Sequence, residues 1–149
     1  SINGKWGFIN TKGELEIDPV FDIAFPFFEG LASVRIGELF GFINKAGEFV
    51  IEPKYYYAYP FSEGLAAVSN GEYFGFIDRQ GKLVIPFQFS YANDFYGGLC
   101  RVSTNDYSIN AYINTKGKII WMDEIGDNEM KNIEKPDLKT RMIERIVRN

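Results

Sequence analysis

The chain has no histidine and a single cysteine among its 149 residues. Without histidine it lacks the usual general base near neutral pH, the commonest zinc ligand and the ordinary nucleophilic triad. One cysteine cannot form an internal disulfide framework, so cysteine usage names no redox compartment. Cys100 has neither a histidine nor a second thiol to activate it and reads as a small buried hydrophobe in a strand. No run of eighteen apolar residues occurs, which leaves out a helical membrane span. Basic residues are outnumbered 16 to 20, for a net charge of -4. That balance argues against a phosphate-binding surface and leaves nucleic acid outside the expected partners. No leader pattern opens the sequence. It begins at Ser1, almost directly on a repeat, and the reading is of a fragment of a larger protein with its localisation unknown.

What is abundant is aromatic and glycine residues: 14 Phe, 9 Tyr, 2 Trp and 15 Gly. They recur with a period of 34 residues. Residues 5–38 and 39–72 are identical at 18 of 34 positions, and residues 39–72 and 73–106 at 14. A fourth, partial copy runs over 107–121, displaced by two residues. A fixed period signals one supersecondary unit stacked on its neighbours, each covering the other's apolar face.

Within each copy two apolar segments flank a tight turn, as in Phe40-Gly41-Phe42-Ile43 and Phe49-Val50-Ile51. The turns begin with Asn10, Asn44, Asp78 or Asn114 and close on Gly13, Gly47, Gly81 or Gly117. Asx first and Gly fourth fit a type I turn followed by a left-handed residue, the three-residue hairpin with a bulge. A further strand precedes each hairpin, such as Leu65-Ala66-Ala67-Val68-Ser69. The unit is therefore expected to be a three-stranded antiparallel meander. A connection of constant length carries Ala24, Ala58 and Ala92, the phenylalanines Phe27, Phe61 and Phe95, and then Gly30, Gly64 and Gly98. Its recurring apolar positions imply that it is packed down, with one helical turn around the alanines. Gly7, Gly41 and Gly75 lie between aromatics inside a strand, where a missing side chain lets a backbone or ring approach closely.

Trp6-Gly7-Phe8-Ile9, the turn glycine, the following proline, and Phe61-Ser62-Glu63-Gly64-Leu65-Ala66 resemble the WG-repeat (KWG-repeat) motif of bacterial proteins. The resemblance spans residues 5 to about 121. Copies two and three have Phe-Gly in place of Trp-Gly, and copy four has Asn110-Ala111. The resemblance implies a β-repeat array and no particular activity.

Fold expectations follow. Residues 1–122 form an all-β array, an open twisted stack of meanders with a closed barrel as the alternative. Three full copies fall short of the roughly four blades that close a propeller. Residues 123–149 form an acidic linker and a C-terminal amphipathic helix, with Leu138, Met142, Ile143, Ile146 and Val147 on one face. That helix is expected to cap the last repeat.

No catalytic, cofactor-binding or metal-binding residue is expected. Glu29 and Glu63 recur at one offset, with Gly97 in copy three, as a carboxylate accepting backbone N–H groups at a corner does and a catalytic acid does not. Asp94, Asp106 and Asp123 lack metal-ligand spacing. The glycines have no nucleotide-binding order. The candidate partner-binding residues are the aromatics that do not recur: Tyr56, Tyr57, Phe28 and Tyr96. Exposed rings suit contact with a protein or peptide, or stacking on a carbohydrate. The expected function is a non-enzymatic binding or scaffolding module, with carbohydrate binding as the alternative.

Overall fold

The computed structural model describes residues 1–103 and 109–122. It is all-β. The first hairpin pairs β1 (Trp6–Ile9) with β2 (Leu15–Phe21). Among the described residues, three four-stranded antiparallel sheets follow in chain order. The first holds β3 (Ile23–Ala24), β4 (Ala32–Ile36), β5 (Leu39–Ile43) and β6 (Phe49–Tyr55). The second holds β7 (Tyr57–Ala58), β8 (Leu65–Ser69), β9 (Phe74–Asp78) and β10 (Leu83–Phe89). The third holds β11 (Tyr91–Ala92), β12 (Leu99–Ser103), β13 (Asn110–Asn114) and β14 (Ile119–Met122).

The unit is thus a four-stranded meander. The connection expected to contain a helical turn instead supplies its first strand. Ala24 pairs with Val34, Ala58 with Val68 and Ala92 with Val102. Ala58 and Ala92 are fully buried and Ala24 is partly so, and a strand places them there as well as a helical turn would. The amphipathic helix expected in the C-terminal segment lies outside the described residues.

The Asx turns form as the sequence implies. The Asn44 side-chain oxygen accepts the backbone N–H groups of Ala46 and Glu48, and the Gly47 N–H donates to the Asn44 carbonyl. Gly47 has φ 81, a region that glycine enters without steric cost. Asn10, Asp78 and Asn114 repeat the arrangement, with Gly13, Gly81 and Gly117 in the left-handed region.

Gly41 has a different task. Phe40 pairs with Tyr55 and Phe42 with Ile51, so β6 bulges over the residue between the two phenylalanines. A Cβ on Gly41 would sit 2.6 Å from the Ile51 carbonyl oxygen and 2.8 Å from the Pro53 nitrogen. Gly7 and Gly75 meet the same crossing backbone. Copy four shows the converse. There Ala111 pairs directly with Met122, the strand does not bulge at that point, and a methyl group fits.

Among the described residues, three apolar clusters lie between consecutive units. The middle one joins Phe40, Phe42 and Ile51 of the first four-stranded sheet to Phe61, Val68 and Ile77 of the second. Alternation along a strand sends neighbours to opposite interfaces. Phe76 packs toward the third sheet and Ile77 toward the first. Both faces of an interior sheet are buried, which is why β8 is buried along its whole length. Polar contacts span the same interfaces: the Ser33 hydroxyl donates to the Ala58 carbonyl at 2.8 Å and the Ser62 hydroxyl to the Phe95 carbonyl at 2.7 Å.

Candidate binding surface

The residues separate by whether copies agree or differ. Positions shared by all copies carry turns and core. Gly30, Gly64 and Gly98 belong to two-residue hairpin turns between Phe28 and Leu31, Ser62 and Leu65, and Tyr96 and Leu99. Both central residues have positive φ, as a type I′ turn requires. Two of them are not glycine: Glu29 at φ 51 and Glu63 at φ 53.

These glutamates link successive units. The Gly64 N–H donates to the Glu29 carboxylate at 3.0 Å, and the Gly98 N–H donates to that of Glu63 at 2.8 Å. The corner reading of the glutamates holds, with one addition: each carboxylate reaches the corner of the next unit. The third copy has Gly97 at this position, where the backbone keeps the left-handed conformation and no carboxylate extends onward.

Phe28, Ser62 and Tyr96 occupy one offset of the repeat and flank these turns. Phe28 is exposed, and Tyr96 is 90% exposed. Tyr56 is exposed too, and its ring lies across Gly71: a Cβ there would come within 3.0 Å of the ring. Copy one uses the same pair of positions differently. Asp22 replaces Tyr56, its carboxylate accepting the Gly37 N–H at 2.8 Å and an ion pair from Lys5 at 2.6 Å. The Lys5 hydrogen bond, then that of Gly37, holds the Asp22 carboxyl below its ordinary value.

Tyr57 is placed otherwise. It is half-buried, with its ring 5.2 Å from Phe40 and 4.8 Å from Tyr59. It belongs to the rim of the middle core and is not a free surface ring. Sequence reasoning treated it as non-recurring, yet Ile23 and Tyr91 stand at the same offset and form the matching short strands. Checking that offset identifies Tyr57 as a strand residue packed on the rim of the core.

Cys100 is buried, and its thiol donates to the Asn93 carbonyl at 3.0 Å. Burial pushes the thiol up to about 12, so the nucleophilic thiolate is strongly disfavoured. Among the described residues no group of three or more Cys, Asp or Glu could hold a metal ion. No helix among them is long and apolar enough to cross a membrane.

No curated protein matches the chain. The family described as WG containing repeat matches three times in tandem, over residues 6–39, 40–73 and 74–107. Those boundaries lie one residue from the copies read off the sequence. The matched glycines Gly7, Gly41 and Gly75 are the ones that the crossing backbone demands. On its repeats, their register and these matches, the chain belongs to the WG containing repeat family.

Proposed function

We propose that the chain is a non-enzymatic repeat module that binds or scaffolds a protein or peptide. The observation carrying this reading is how the aromatics divide. Rings at shared positions, such as Phe42, Phe61 and Phe76, are fully buried, whereas Phe28, Tyr56 and Tyr96, at positions where the copies differ, face solvent. Stability alone does not call for exposed tyrosines, and such rings contribute large contact area at modest entropic cost on binding. The stack of sheets holds them on rigid turns. We also infer an open array, because no apolar cluster among the described residues joins the first hairpin to the last sheet.

Carbohydrate binding is the second reading. It rests on Tyr56, whose ring is held against Gly71 as a flat platform. Parallel screening of the folded chain on a random-peptide library and a glycan array separates the two. Peptide ligands that lose about tenfold or more in affinity with F28S/Y56S/Y96S, or ~1.4 kcal/mol, support the first reading. Glycan ligands lost with Y56S alone support the second.

A further inference from the structure

The outward face of the last sheet combines apolar surface with substitutions that work against stacking a further sheet. In interior units the residues directed toward the next unit are buried: Leu31 and Leu65, Phe42 and Phe76, Ile51 and Ile85. Their counterparts in the third sheet are Leu99, Tyr112 and Trp121. These are 37%, 39% and 52% exposed, and Tyr112 and Trp121 pack on each other with ring centroids 5.9 Å apart.

Three further positions have changed in the opposite sense. Gly97 replaces the glutamate that reaches the next unit's corner. Arg101 stands where Ser33 and Ala67 are buried, and it donates to the Asn110 side-chain oxygen at 3.0 Å. Asn110 itself stands where Phe40 and Phe74 pack. Another sheet of the same kind on this face would bury a guanidinium without a countercharge, which is costly. The occupant must cover Leu99, Tyr112 and Trp121 while leaving Arg101 paired or wet.

We propose that this occupant is the chain's own C-terminal segment, with Leu138, Met142, Ile143 and Ile146 seated on Leu99, Tyr112 and Trp121. Several observations on the sequence and sheet favour it. The 27 residues of 123–149 follow directly from β14, which carries Trp121, so the segment is tethered beside the face at high effective concentration. Its apolar residues recur at helical spacing, giving a stripe narrow enough to cover part of a sheet. The stretch 123–134 has five acidic residues to one lysine, a countercharge for Arg101. Terminal units of repeat arrays need such a polar-backed cover. The segment would block head-to-tail stacking of copies through this face.

Tryptophan fluorescence tests the proposal, because Trp6 and Trp121 are the only two tryptophans. The W6F protein spanning residues 1–149 reports Trp121 alone, and subtracting the W121F signal from the unaltered protein gives the same quantity without altering Trp6. The expected result is a Trp121 protected from acrylamide at every protein concentration. M142D/I146D should raise the quenching constant severalfold while the β-sheet circular dichroism is retained. Full quenching of Trp121 in the folded W6F protein overturns the proposal whether or not the double variant folds. Protection that appears only as the protein dimerises also overturns it and makes a second copy the occupant.

Discussion

The Glu63 carboxylate accepts the Gly98 N–H at 2.8 Å, 35 residues further along the chain and at the corner of the next unit, from a backbone at φ 53. A non-glycine residue in this region costs about 1–2 kcal/mol. A charge-assisted hydrogen bond contributes about the same, somewhat less at an exposed site. The two effects nearly cancel, and the variants can separate them. Glu63→Ala keeps the strain and loses the bond, and should destabilise by about 1 kcal/mol. Glu63→Gly relieves the strain and loses the bond, and should change stability by less than about 0.5 kcal/mol. Urea denaturation of the two proteins checks the order. Equal losses would show that the left-handed backbone costs nothing here, and no loss in Glu63→Ala would show that the carboxylate contributes nothing across the interface.

Gly41 and Gly37 make a sharper contrast. Gly37 has φ 63 and open space around it, whereas Gly41 is pressed against the backbone of β6. Gly37→Ala should cost about 1 kcal/mol, from conformational strain alone. Gly41→Ala must displace a carbonyl oxygen and unpick the bulge, and should cost about 3 kcal/mol or more. Thermal midpoints of the two variants distinguish them. A mild Gly41→Ala would mean that the bulge relaxes freely.

Asp22 supplies a pH-dependent contribution. Its carboxyl is held below the ordinary 3.8 by Lys5 first and the Gly37 N–H second. A lowered folded-state value means that the stabilisation is present above the unfolded value and is lost as pH falls through the folded one. The stability difference between the parent and Asp22→Asn should therefore be constant near neutrality and shrink as pH drops below 3.8. Chemical denaturation across that range measures it. A difference growing toward acid pH would reverse the sign and contradict the assignment.

Much of the architecture was legible in the sequence because it repeats. The Asx turns announced themselves through Asn44 and Gly47, and the strand glycines through their aromatic neighbours. The short first strand did not. Ile23–Ala24 and its counterparts are two residues long, too short for a period of two to show, and their alanines suit a helical turn equally well. Why Gly41 must be glycine depends on β6 crossing it, a relation between strands that no local pattern encodes. Among the candidate binding residues, Tyr96 and Phe28 were readable as surface because Ser62 interrupts their series. Tyr57 was grouped with the surface rings although Tyr91 repeats it at the same offset; only Ile23 differs in residue type, and all three begin the same short strand.

The central claim is that shared positions build the fold and divergent aromatics bind. Calorimetric titration of a library-selected peptide into F28S/Y56S/Y96S, with the thermal midpoint recorded on the same sample, tests it most directly. The account predicts affinity lower by about tenfold or more, with a midpoint within about 2 °C of the parent. Unchanged affinity at an unchanged midpoint would contradict it, as would a collapse of the midpoint that showed these rings to be core.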